Sequence, residues 1–330
     1  MKKVLIFSLF LSGIVSFAQT GTNVYSFLNI PVSARQAALG GDAITIRDYD
    51  VSFAIANPAL LNKDSDKQLS VNASTYLADS KFGTVAFAKD LDNGHMVTLN
   101  ARYLSYGNIP RTDESGFEMG EFSASDVAVG AGYAYQFEED WTIGGGLNFI
   151  TSKIDTYTSS ALSGTAGVTY HNKQSKEVAS VVFKNFGYQF KSFNGERENL
   201  PFRIDLGYTK ILKAIPLAIT ITAHDLQKFD ISSDYNVNGQ EIGFGRKIAD
   251  HFSLGAELFP EKGFNIRLGY NVRRGNELAV VDQRNFTGLS AGFGLKISKF
   301  RLDYAHVRYH NSSNVNQIGI SVDLSGHQGQ

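Results

Sequence analysis

The 330-residue chain has no cysteine. That excludes disulfides, thiol catalysis, cysteine-ligated metals and a lipoprotein anchor after the apolar N-terminal run. Net charge is also nearly absent: 31 Lys and Arg against 32 Asp and Glu leave −1, so no global field draws in nucleic acid. No segment beyond the N-terminus is apolar enough to be a spanning helix. The mean hydropathy of −0.14 excludes a bundle of apolar helices. It does not exclude a membrane barrel, whose apolar residues are diluted by alternation. The motifs S-x-x-K, H-E-x-x-H and G-x-x-x-x-G-K-[ST] are missing too.

The one long apolar run is N-terminal. Lys2 and Lys3 precede Val4–Phe17, and Ser16-Phe17-Ala18 supplies small residues at a cleavage position. Residues 1–18 read as a secretory signal peptide, too short to span a bilayer. An exported chain without spanning helices is free in the periplasm, surface-bound, or an outer-membrane barrel.

What is abundant is alternation. Val127, Val129, Ala131, Tyr133, Tyr135 and Phe137 share one face, with Ala128, Gly130, Gly132, Ala134 and Gln136 on the other. Period two means strand, and the contrast recurs from residue 69 to 324. Strands are expected near 69–77, 82–90, 95–105, 125–137, 141–153, 162–171, 177–186, 201–212, 217–227, 251–259, 263–272, 287–297, 299–308 and 316–324. The count is even, as single-chain bacterial barrels require. Connections after even strands are short and face the periplasm. Long ones, 106–124, 187–200, 228–250 and 273–286, face outward. The first outward connection, 78–81, is short, and 241–248 reads equally as an extra strand that would break the parity.

The charges fall on one side of the pleat. Phe202, Ile204, Leu206 and Tyr208 alternate with Arg203, Asp205, Gly207 and Thr209. Lipid-facing Arg or Lys costs about 2–4 kcal/mol at mid-membrane, so the charged set points inward. Trp141, Tyr170, Tyr208 and Tyr270 suit aromatic girdles. A soluble β-sandwich is the competing architecture. The expected fold is thus all-β: a 14-stranded antiparallel transmembrane barrel over 69–324, with a polar tail at 325–330.

Residues 19–68 do not alternate. Ser33–Leu39 reads as a short helix stopped by Gly40-Gly41, and Pro58 starts another after Asn57. The expected inner wall is rich in Gly and Ala, and Gly in a strand marks a close approach. Residues 19–68 are therefore expected to fold into the lumen as an N-terminal plug.

Signals for catalysis are weak. Gly288-Leu289-Ser290-Ala291-Gly292 matches G-x-S-x-G, but Ser290 lies within an alternating strand and not on a strand-to-helix turn. Gly144-Gly145-Gly146 lies in a strand as lumen lining rather than a phosphate loop. His306 and His310 are about 13 Å apart on a strand, too far to share a metal. No cofactor is expected. Arg111, Lys191, Arg197, Arg273, Arg274 and Arg284 in the loops suit lipopolysaccharide phosphates or an acidic partner. Interspersed Glu and Asp favour a solvated surface instead.

The string from Phe27 through Pro31, Ala34, Arg35 and Gly40 to Gly41, followed by Asn57-Pro58-Ala59-Leu60-Leu61, resembles the start of PorQ-like outer-membrane proteins of the type IX secretion system. The likeness continues through Gly269–Arg273, Gly288–Ile297, Leu302–Ala305 and Tyr309-His310. The Pro-x-x-Ala-Arg…Gly-Gly and Asn-Pro-Ala elements are shared with PorV-like and FadL-type barrels. The resemblance implies a FadL-like barrel with an N-terminal plug. It implies a non-catalytic role, holding a PorZ-like surface protein in an attachment complex with PorU and PorV that anchors cargo, in some species to lipopolysaccharide. Many outer-membrane barrels end in an aromatic residue; here Val322-Asp323-Leu324 precedes a polar tail.

Three functions follow as expectations. As a surface anchor, the chain would dock a partner through Phe117, Phe122, Tyr188, Phe190, Phe193, Tyr235, Phe244, Arg273 and Arg274. As a FadL-like transporter, it would move a hydrophobic small molecule. As a hydrolase, it would use Ser290.

Overall fold

The computed structural model describes residues 23–235, 239–277, 286–310 and 313–325. The expected signal peptide 1–18, residues 326–330 of the tail and residues 278–285 of one outward loop lie outside these.

Fourteen strands form one closed antiparallel barrel. The first seven are β1 (Gln68–Thr75), β2 (Lys81–Asp90), β3 (His95–Thr112), β4 (Glu118–Glu138), β5 (Trp141–Ile154), β6 (Tyr157–Asn172) and β7 (Glu177–Lys191). The rest are β8 (Arg203–Ile211), β9 (Leu217–Ala223), β10 (Phe252–Leu258), β11 (Phe264–Asn271), β12 (Leu289–Ile297), β13 (Phe300–His310) and β14 (Ser313–Asp323). Each strand pairs with its neighbour in sequence, and β1 closes on β14 from Gln68↔Asp323 to Thr75↔Asn316. Closure leaves no free edge to satisfy in lipid.

The pleat sorts side chains as the charges demand. Arg203 and Asp205 are 6% and 0% exposed, whereas Leu206 and Tyr208 on the outer face are 44% and 41% exposed. Asn265 and Arg267 are buried while Phe264, Ile266 and Leu268 are exposed. A soluble sandwich would bury the opposite set. Trp141 packs beside Tyr170, 5.1 Å between ring centroids, at the short-turn end.

The fourteen strands fall where the alternation places them, but three outward segments differ. The expected loop 106–124 is mostly strand: β3 and β4 continue as a hairpin with its turn at 113–117. The ladder shifts register between Ser105 and Asn108, and almost every residue beyond is exposed. Neither a constant period nor an inside–outside contrast survives there. Likewise β7 runs on to Lys191, past the expected end at 186. Asn185, at φ +57°, sits at a register shift against β6, so the outward set changes from Val181 and Phe183 to Phe186, Tyr188 and Phe190. Finally, the ambiguous stretch 241–248 is not a strand. Glu241 makes one isolated bridge to Tyr235, and Phe244–Ala249 is a helix, here α2, so the count stays at fourteen.

Residues 23–67 lie against the inner face of the wall. They contain one α-helix, α1 (Ala34–Ala38), and four short 3-10 turns: Ser26–Asn29, Val51–Ile55, Pro58–Leu60 and Lys63–Ser65. Every residue of 30–46 and 50–62 is buried. The protein interior is therefore the plug–wall contact, and the apolar outer face is left for lipid.

Candidate functional site: plugged lumen and outward loops

The plug is short of regular structure, so its backbone needs partners from elsewhere. Ser33 caps α1 by accepting from Gln36 N. Gln36 in turn accepts from Val32 N (2.8 Å) and donates to Ala43 O (2.8 Å). Gly40 and Gly41, at φ +91° and +96°, end the helix, and Gly41 N returns to Gln36 O. Asn57 caps the next turn through Ala59 N and donates to Ile44 O and to Thr169 on the wall. The wall supplies more: Asn72 accepts from Ala34 N, Thr84 donates to Val32 O, and Arg102 donates to Leu28 O.

Two buried ion-pair clusters join plug to wall. Near the short-turn end, Arg35 Nη2 donates to Glu257 Oε2 on β10 (2.9 Å), and Nη1 to Asp48 Oδ2 (2.7 Å). Glu257 also accepts from Arg267 Nε on β11 (2.8 Å), and Arg267 Nη1 reaches Asp303 on β13 (2.6 Å). Toward the loop end, Arg203 on β8 pairs with Asp42 of the plug (2.8 Å) and with Asp205. Asp205 accepts from Lys184 Nζ on β7 (3.0 Å), and Asp42 from Asn271. Just past β9, Asp225 joins the cluster through His224 Nδ1 (2.8 Å) and lies 3.6 Å from Arg203 Nε.

The glycines explain the close fit. A Cβ on Gly144 would run into the backbone of Pro58 and Ala59, and one on Gly269 into Gly40 N. Cβ atoms on Gly207, Gly255 and Gly292 would meet Ile44, Leu39 and Ala38. The Gly144–Gly146 run is thus wall that admits the plug, not a phosphate loop. Ser290 accepts from Gly40 N (3.3 Å) and donates to Ala38 O (3.0 Å), so its hydroxyl seats the plug. His306 pairs with Asn316 on the neighbouring strand. Among the described residues, no group of three His, Asp or Glu is placed to hold a metal.

Little space is left beside the plug. A cavity lined by Leu28, Ile30, Asp42, Arg102 and Lys184 measures about 10 Å³, at the limit for one water. A cleft of about 550 Å³ opens at the short-turn mouth, between Tyr49, Lys63, Asp66, Lys296, Arg301 and Asp323. Charged side chains line it together with the rings of Tyr49 and Phe300.

The structure separates the expected docking residues. Phe117 (72% exposed) is at the tip of the β3–β4 hairpin, and Phe122 lies on β4 with Arg111 over its ring. Tyr188 and Phe190 are not on a loop: they extend the outer face of β7, with Phe190 beside Phe149. Phe193 is half-buried after β7. Tyr235 and Phe244 are exposed in 224–251, with Phe244 opening α2. Arg273 and Arg274 lie on a third helix, α3 (Val272–Glu277). Arg273 pairs with Glu277, and Arg274 stacks on Tyr309. These residues ring the loop end without converging on one pocket. Sequence reading missed the second ion cluster as a unit, because its members come from residues 42, 184, 203, 205 and 225.

No family model matches the chain, and no curated protein matches it. Solved structures do. The toluene transporter TodX of Pseudomonas putida aligns at TM-score 0.57 and 12% identity, covering 89% of this chain and 97% of that one. The toluene transporter TbuX of Ralstonia pickettii aligns at 0.54 and 11%, covering 90% and 98%. A FadL homologue of Pseudomonas aeruginosa aligns at 0.53 and 11%, covering 88% and 98%. At such identities the likeness carries the fold: this chain is a FadL-like fourteen-stranded barrel.

Proposed function

We propose that the chain is a non-catalytic outer-membrane barrel that holds a large surface partner. On the PorQ-like resemblance, that partner is a PorZ-like protein of the attachment complex containing PorU and PorV. One observation carries the reading: the lumen is filled. Among the described residues, two ion clusters and a glycine-lined wall hold the plug in place, and the cavity beside it measures about 10 Å³, small for apolar cargo. The outward side, by contrast, presents exposed aromatics on separate elements, Phe117 and Tyr235 among them. Ser290 is engaged by the plug backbone, which argues against the hydrolase reading.

The second reading is transport of a hydrophobic small molecule. It is favoured by fold neighbours described as toluene transporters. It requires the plug to move. One experiment separates the two. Photocrosslinkers at Phe117 and Tyr235 in intact cells should capture one surface protein, and deleting the β3–β4 tip, 113–117, should release it. Toluene uptake should not change on deletion of the whole gene. Lost uptake without any captured protein would favour transport and end the anchoring account.

A further inference from the structure

The barrel wall is uneven. β3 to β7 have 14 to 21 residues, whereas β9 and β10 have 7 each. At about 3.4 Å per residue and a tilt of about 40°, seven residues cover roughly 18 Å of the membrane normal. The apolar band of such barrels is about 25 Å tall. On the β9–β10 side the strands alone therefore stop roughly 7 Å short of the outer edge of that band.

The described parts of the segment that joins these two strands, 224–235 and 239–251, stand above this short wall. It begins by extending the sheet: Leu226 N donates to Ile204 O of β8 (2.9 Å), beyond the last paired residue of β9. Asp225, at φ +59°, makes the bulge that allows this. Leu226, Phe229, Phe244 and Ile248 are 39%, 59%, 68% and 40% exposed. Phe229 and Phe244 pack ring to ring at 5.7 Å, and Phe244 and Ile248 share a face of α2 at i, i+4. Polar contacts pin the segment down. Lys247 pairs with Asp230, Ser232 with Asp250, and Asn276 with Asp250, while Ile231 and Ile242 are buried. A held segment with a contiguous apolar face in water would be costly. The same face in lipid completes the band.

We infer that the apolar face formed by Leu226, Phe229, Phe244 and Ile248 is seated in the outer leaflet, contacting lipid chains above the ends of β9 and β10. The occupant of this face is the lipid surface, not a protein. This goes beyond the anchoring role and holds whether or not a partner docks. It removes Phe244 from the docking face and leaves Phe117 and Tyr235.

The absence of cysteine makes single spin labels unambiguous. The full chain carrying Phe229→Cys, Phe244→Cys, Leu268→Cys or Phe117→Cys is labelled and reconstituted in phosphatidylcholine vesicles. Collision with oxygen, which partitions into lipid, is compared with collision with a water-soluble nickel chelate. The oxygen-to-nickel ratio at Phe229 and Phe244 should approach that at Leu268, a wall position, and exceed that at Phe117 severalfold. Leu226→Cys gives the same readout if a Phe variant fails to insert. A ratio at the Phe117 level at either loop position would overturn the inference.

Discussion

Single residues decide how close the plug comes to the wall. Gly144 and Gly145 are neighbours on β5, but only Gly144 faces the plug; a Cβ on Gly145 would meet nothing nearer than Thr165 O at 3.9 Å. Gly144→Ala should therefore destabilise the folded barrel by about 1–3 kcal/mol, as overpacking does. Gly145→Ala should change it by no more than about 0.5 kcal/mol. Urea unfolding in lipid vesicles measures both. Arg35 is a second deciding residue. It is buried with Glu257, and removing one member of a buried pair costs about 3–5 kcal/mol. Because Arg267 still neutralises Glu257, Arg35→Ala should fall near the low end of that range, about 3 kcal/mol. Arg35→Met with Glu257→Gln should recover part of the loss, in a double-mutant cycle by the same unfolding assay.

At the scale of elements, the plug is held by hydrogen bonds more than by its own helices, which are three to five residues long. Asn57 shows the dependence. Asn57→Ala removes a cap, worth about 0.5–2 kcal/mol. It also takes away the donor that reaches the Ile44 carbonyl, about 1–3 kcal/mol more if that group is left unpaired. A total of about 1.5–5 kcal/mol is expected from the sum of these terms, with protease sensitivity rising within 42–62. The strands were legible because period two and the inward charges agree, as at Arg203 and Asp205. Legibility failed where a bulge reset the period, at Asn185, and where both faces are polar, along 106–124. The α1 cap at Ser33 and the stop at Gly40-Gly41 were readable locally. The Arg35–Glu257 and Arg203–Asp42 pairs were not, since each joins residues more than 150 positions apart and no short-range spacing encodes them.

For the whole molecule, the account rests on a barrel closed twice over, once around its strands and once across its lumen. Outer-face aromatics and aliphatics set it in the bilayer. Arg35 and Arg203 hold the plug to opposite ends of the wall. A filled lumen fits a body that carries something on its surface, and a mobile plug fits a conduit. Ion current through single barrels in a planar bilayer tests this directly. The full chain should remain electrically silent at neutral pH, while the double variant Arg35→Ala with Arg203→Ala should show discrete openings as the plug loosens. Steady conductance steps from the unaltered chain would contradict the filled lumen and the anchoring role built on it.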